Sequence, residues 1–159
     1  MRRLALALVA VLVAASALSA CGGSSSTSTG PSISDYQKSF APIDQRIKDI
    51  GNSVGDAVVN AKSKSNTELA NEFAGLSAQA KSVAASLTAL DVPDSLKTQQ
   101  AALASALGDA SRSLQSISAA ASAGNAKAAA AATLKLGAVD SAKIKKAREA
   151  IEKQISAAS

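Results

Sequence analysis

The sequence has no histidine and no tryptophan, a single cysteine, and aromatic residues at only 2% of its 159 positions. Without histidine, a Cys/His zinc site and a di-iron site built on Glu-x-x-His motifs are excluded. A lone cysteine cannot form an intramolecular disulfide bond, so packing alone must hold the fold. No P-loop motif occurs either. The sequence therefore predicts a protein that is not an enzyme and has no catalytic, metal-binding or cofactor-binding residues.

The first twenty residues have the order of a secretory signal peptide. Arg2 and Arg3 supply positive charge, Leu4 to Ala15 form an unbroken apolar run, and residues 16–20 are smaller and slightly more polar. The alternative is an uncleaved membrane helix, but residues 4–20 are at the lower length limit for crossing a bilayer. We therefore expect residues 1–20 to be a cleaved signal peptide.

The only cysteine directly follows this segment, in the tetrapeptide Leu18-Ser19-Ala20-Cys21. This tetrapeptide resembles the lipobox of bacterial lipoproteins. The resemblance implies that the Cys21 thiol receives a diacylglyceryl group, with an N-acyl chain as an optional addition, and that cleavage falls between Ala20 and Cys21. Two acyl chains anchor a protein firmly, which implies a lipid-anchored location on the extracytoplasmic face of the cell membrane. The alternative, a buried inert cysteine, conflicts with the absence of core sequence around Cys21.

Residues 22–31, GGSSSTSTGP, contain no apolar side chain and no periodicity. Such a composition cannot bury surface, and it predicts a disordered tether with a span of roughly 18 Å. The predicted organisation is a signal peptide (1–20), a lipidated Cys21 with its tether (21–32) and a helical domain (33–159).

Within the helical domain, apolar residues recur at steps of three and four, which is the spacing of one helix face and not of a strand. Three such seams are predicted. They comprise Tyr36, Phe40, Ile43, Ile47, Ile50, Val54 and Val58; Leu69, Phe73, Leu76, Ala80, Val83, Leu87 and Leu90; and Leu96, Gln100, Leu103, Leu107, Ala110, Leu114 and Ile117.

Turn and capping signals separate these seams. Capping boxes are predicted at Ser34 and Ser65, Pro93 is placed to start the third helix, and Asn125 is the predicted N-cap of the fourth. Pro42, inside the first pattern, either kinks that helix or marks its first turn.

The fourth segment, from Asn125 to about residue 157, is less regular. Leu134, Leu136 and Val139 do not keep phase with the isoleucines that follow, and Gly137 allows a local irregularity between them. Short loops between four helices favour an all-α, antiparallel up-down-up-down four-helix bundle. A three-helix bundle with a loose fourth element is the alternative.

The domain resembles the small helical-bundle lipoproteins of Gram-positive, high-GC (actinobacterial-type) bacteria. The resemblance rests on the lipobox, the Gly/Ser/Thr tether and the segment LDVPDSLKTQQAAL with the later AASAGNAKAA. It implies the architecture, and no functional residue carries over from it.

The charged residues are interpreted as solvated surface. The net charge is +5, and Asp44, Asp49 and Asp56 do not share one helix face. Lysines and Arg148 make the last helix basic, with pairing expected between Lys145 and Glu149 and between Arg148 and Glu152. The alternative is contact of this helix with anionic lipid or wall polymers.

These observations predict a membrane-anchored, non-enzymatic binding or spacing module whose partner is an envelope protein or polymer. The alternative is a carrier that holds a small apolar ligand between alanine-lined helices. An unusual hydrolase acting through serine or aspartate alone is a third, less favoured hypothesis. Nucleic acid is not expected as a partner, because the chain reads as exported and has few aromatic residues.

The lipid anchor is tested by the substitution Cys21→Ala, which removes the thiol that would form the thioether. We expect the variant to carry no acyl mass and to be either retained uncleaved or released by another route. Intact-protein mass spectrometry of the membrane fraction checks this. A wild-type protein that is cleaved elsewhere and carries no acyl group at Cys21 would contradict the lipoprotein interpretation.

Overall fold

The computed structural model describes residues 30–158, which form an all-α bundle without strands in that range. This confirms the predicted helical-bundle fold. No helix among the described residues is both long enough and apolar enough to cross a membrane. The helices are α1 (Ile33–Val59), α2 (Asn66–Ala89), α3 (Lys97–Ser122), α4 (Ala126–Lys135) and α5 (Ser141–Ala157), and a π-helical segment (Leu136–Asp140) joins α4 to α5.

The helix starts follow from local hydrogen bonds. The capping box at Ser65 is confirmed, because its hydroxyl accepts from the Glu68 N–H while the Glu68 carboxylate accepts from the Ser65 N–H. The box predicted at Ser34 is wrong: α1 begins two residues earlier, where the Ser32 hydroxyl accepts from the Asp35 N–H at 3.1 Å. The Ser32 hydroxyl also donates to the Asp35 carboxylate at 2.7 Å, and this second bond favours Ser32 as the cap.

The turn between α3 and α4 is a Schellman motif. The Asn125 N–H donates to the Ala120 carbonyl, the Gly124 N–H donates to the Ala121 carbonyl, and Gly124 has a positive φ of 64°. The Asn125 side chain then accepts from the Ala128 N–H at 3.0 Å, so the predicted N-cap is confirmed. Pro42 lies inside α1 and not in its first turn.

The three predicted seams form the core, with one exception at the end of α1. Val58 is 40% exposed, and Ala57 is fully buried in its place. Two successive steps of four from Ile50 overshoot the 3.6-residue turn by about 40° each, which rotates position 58 off the buried face. The second and third seams are buried or half-buried throughout, including the polar Gln100.

The closest helix pair in the bundle is α2 with α3. The Ser77 hydroxyl lies 2.9 Å from the Ser111 carbonyl, and the Ser111 hydroxyl donates to the Ser77 carbonyl at 3.0 Å. Such reciprocal bonds need the two backbones to approach closely, which small side chains at the contact permit. The buried alanines of both helices have the same effect.

Three hydrogen-bonded residue pairs between α2 and α3 also show the relative direction of the two helices. As the residue number rises along α2 it falls along α3, so these two helices are antiparallel. The up-down-up-down order of the whole bundle stays a prediction, with which this pair agrees. The pairs are Ala70 with Ser118, Ser77 with Ser111, and Leu87 with Gln100.

The π-helical segment lies where the sequence predicted an irregularity around Gly137. Here the buried positions Leu136, Asp140 and the half-buried Ile144 lie four residues apart. In a regular α-helix each step of four would drift by about 40°, whereas the wider π turn keeps these positions on one face. The Ser141 N–H accordingly donates to the Leu136 carbonyl, five residues back.

The tight α2–α3 contact is tested by enlarging one of its small residues. We expect Ser111→Leu to lower the free energy of unfolding by about 1–3 kcal/mol, because the added side chain forces the helices apart. Chemical denaturation of the protein measures this effect. The exposed Ser116 on the same helix serves as the control, and Ser116→Leu should change stability by no more than about 0.5 kcal/mol. Equal losses in both variants would contradict the packing described here.

Candidate functional site

The site residues predicted from sequence, Ala20 and Cys21, lie outside the described residues. Within residues 30–158, no group of three or more carboxylate or cysteine side chains is placed to hold a metal ion. Clefts and buried polar groups are the features of the described domain that could bind a ligand.

An apolar cleft opens between α1 on one side and α5 with the π-helical segment on the other. It has a volume of about 390 Å³, and ten of its fourteen lining residues are apolar. Ile47 and Val54 mark its length on α1, while Leu136 and Ile144 form the opposite wall. The volume lies within the range of about 300–1,000 Å³ that is usual for small-ligand sites.

Small residues explain why this space is not filled. Ala80 of α2 and Ala110 of α3 form part of the floor, where larger residues would have reached between the outer helices. Gly51 lies on the α1 wall, and a Cβ atom added to it would meet nothing within 4 Å. The helices α1 and α5 therefore pack on the α2–α3 pair and leave a gap between themselves.

Three cations line the cleft: Lys48 of α1, and Lys145 and Arg148 of α5. The Asp44 carboxylate, just outside the cleft, joins two of them. It accepts from Arg148 Nε at 2.5 Å, and Lys48 Nζ lies 2.8 Å from its other oxygen. Asp44 thereby ties α1 to α5 across 104 residues of sequence.

The pKa of Asp44 reflects two opposing effects. Burial pushes this pKa upward, but the hydrogen bonds and positive charges of Arg148 and Lys48 outweigh it, so the pKa lies below its ordinary value. The interpretation of Asp44 as solvated surface is therefore wrong, because only 9% of the residue is exposed.

A second carboxylate is also buried, against the sequence expectation. Asp140, in the π-helical segment, is fully buried and accepts from the Ser113 hydroxyl at 2.6 Å. Lys135 reaches the same pair, with its Nζ atom 3.1 Å from the Ser113 hydroxyl and 4.0 Å from the Asp140 carboxylate. The other oxygen of Asp140 has no hydrogen-bond partner among residues 30–158. This network holds the π-helical segment against α3, beside the cleft wall at Leu136.

A second groove, of about 450 Å³, runs between α3 and α5. Six of its ten lining residues are polar. Its charges are largely satisfied within the bundle, because Asp109 pairs with Lys143 at 2.8 Å and with Arg112. The two pairs expected on the basic last helix are present as well: Lys145–Glu149 at 3.8 Å and Arg148–Glu152 at 3.3 Å. The α1–α5 cleft has the larger share of apolar lining residues and is the better candidate site.

The electrostatic tie at the cleft predicts a pH-dependent stability. Because the pKa of Asp44 is lower in the folded chain than in the unfolded chain, the ionised carboxylate stabilises the fold. This stabilisation is present in full above the unfolded pKa of about 3.9, and it is lost as the pH falls through the pKa of the folded state. We expect Asp44→Asn to destabilise the protein by about 1–3 kcal/mol at pH 7. That difference from wild type should shrink below roughly pH 4.

Denaturant unfolding across this pH range measures the difference. Asp49→Asn provides a matched control, since Asp49 is exposed on the same helix and bonds only to Gln45 among the contacts described. A loss at Asp44 that did not change with pH would show that the ion pairs contribute nothing to stability.

Comparison with known proteins adds no assignment to the cleft. The chain matches no protein-family profile, no curated protein sequence and no solved structure.

Proposed function

We propose that this protein is a lipid-anchored, extracytoplasmic binding protein without catalytic activity, which holds a small apolar ligand in the cleft between α1 and α5. The observation that carries the proposal is the cleft itself, with its volume of about 390 Å³ and its mainly aliphatic lining. The anchor rests on the sequence around Cys21. Of the roles predicted from sequence, this is the alternative, the carrier of a small apolar ligand. It is favoured over a module that binds or spaces envelope components because such a module needs no cleft.

The energetics of the cleft support occupation by a ligand. Each square ångström of apolar surface removed from water contributes about 25 cal/mol, so an open aliphatic cleft favours any apolar molecule that fits it. A bundle selected only for rigidity would gain by closing this gap, and Ala80, Ala110 and Gly51 are the positions where larger side chains would close it.

The position of the cleft fits delivery of a ligand from a membrane. Gly30 lies against the loop at Val92 and Pro93, which places the end of the tether beside the α2–α3 connection. From Ile33 to Ile47, α1 rises by about 21 Å at 1.5 Å per residue. A tether of roughly 18 Å would then hold the near end of the cleft within about 40 Å of the bilayer, where poorly soluble apolar molecules reside.

The proposal is tested by filling the cleft from Gly51. We expect Gly51→Leu to block the cleft without unfolding the bundle, because the new side chain enters open space and leucine favours helix over glycine by about 0.5–1 kcal/mol. The full chain in phosphatidylcholine nanodiscs is exposed to a photoreactive myristyl alcohol, and the labelled peptides are identified by mass spectrometry.

Wild-type protein should be labelled along the cleft walls, and Gly51→Leu should lose most of that labelling. Gly55→Leu is the matched control: Gly55 lies one turn further along α1, has equally open surroundings and does not line the cleft. Absence of cleft labelling in the wild type, or equal labelling of both variants, would contradict the proposal.

A further inference from the structure

We infer that the ligand of the cleft is an amphiphile with one flexible aliphatic chain and an anionic headgroup. The inference rests on the proposed function, since it names the chemical class of the molecule that occupies the same cleft. Three features carry it: the shape of the cleft, the absence of aromatic residues from its lining, and the placement of its three cations at one end.

The cleft is elongated along the helices. Its lining runs from Ile47 to Val54 on one wall and from Leu136 to Arg148 on the other. At 1.5 Å per residue these stretches measure about 10 Å and about 18 Å. Its volume is more than twice the ~150 Å³ of a cavity that holds a single benzene molecule. This shape fits an extended chain better than a compact ring.

The lining also favours a chain over a flat ring system. None of the fourteen lining residues is aromatic, and the apolar ones are Ile, Leu, Val, Ala and Gly. Flat conjugated ligands gain binding energy by stacking on aromatic side chains, and this cleft offers none. Aliphatic walls bind a methylene chain through burial of its surface alone.

The cations occupy one end of the cleft. Lys48 and Arg148 are brought together by their shared partner Asp44, and Lys145 lies one helical turn from Arg148. The opposite end, around Val54 and Leu136, is apolar. A molecule with a charged head and an apolar tail has this same division along its length.

Each of the three cations at this end has a carboxylate partner, but the cations line the cleft and the carboxylates do not. The lining includes three cations and no carboxylate. The nearby carboxylates lie outside the lining: Asp44 bonds to Lys48 and Arg148, while Glu149 and Glu152 are 61% and 54% exposed in their side chains. The exposed pair Lys145–Glu149, at 3.8 Å, is held weakly and leaves the ammonium group able to bind an incoming anion.

The experiment compares headgroups on one chain length. The full chain in phosphatidylcholine nanodiscs is labelled with the photoreactive myristyl alcohol while myristate, myristyl alcohol or myristylamine competes. Charge-assisted hydrogen bonds are stronger than neutral ones, so we expect myristate to compete at least about tenfold better than the alcohol, and the amine to compete worst. The double variant Lys48→Gln/Lys145→Gln should remove most of the advantage of myristate.

Lys146→Gln is the matched control, because Lys146 is adjacent to Lys145 on α5 but lines the other groove. It should keep the full preference for myristate. Equal competition by myristate and the alcohol, or an unchanged preference in the double variant, would overturn the anionic headgroup and leave the apolar site intact. No labelling of the cleft by any probe, as would follow if a second copy or another segment of the chain filled it, would overturn the proposed function as well.

Discussion

The close approach of α2 and α3 is the constraint on which the rest of the bundle depends. Ser77 and Ser111 each bond to the carbonyl of the other, and such bonds form only if the backbones are nearly in van der Waals contact. Seryl and alanyl side chains make that distance accessible, and at the same time they supply little apolar volume of their own. The larger aliphatic and aromatic residues of α1, α2, α3 and α5 then fill the rest of the core.

This arrangement explains why the cleft lies where it does. The outer helices α1 and α5 each pack against the central pair, and they meet each other mainly through the tie between Asp44 and Arg148. Toward Val54 and Leu136 the two helices are separated by the cleft, and Ala80 and Ala110 of the central pair form part of its floor. Small residues on α2 and α3 therefore contribute both to the close packing of these two helices and to the open space between α1 and α5.

The fold was largely predictable from sequence, because helix periodicity and capping are local properties. The seams of α2 and α3, the caps at Ser65 and Asn125, and the irregularity near Gly137 all follow from neighbouring residues. The start of α1 was misplaced by two residues because Ser32 and Ser34 offer the same kind of cap, and only the structure distinguishes them.

The candidate site was far less predictable. The cleft lies between α1 and α5, which are about a hundred residues apart in the sequence. No local sequence pattern shows that the side chains between two such distant helices are too small to fill the space. The scattered positions of the carboxylates predict solvated surface for all of them, Asp44 and Asp140 included, although Asp140 lies four residues after the buried Leu136. That spacing was a usable signal for Asp140, whereas the burial of Asp44 depends on Arg148 and had no local signal.

The π-helical segment between α4 and α5 has an evolutionary consequence. A π turn closes its hydrogen bond over five residues where an α turn closes it over four, so the segment accommodates one extra residue while both flanking helices keep their buried faces. A relative of this chain with an uninterrupted α-helix there would be one residue shorter. The alignment gap would fall between Leu136 and Asp140, with the core positions on either side still matched.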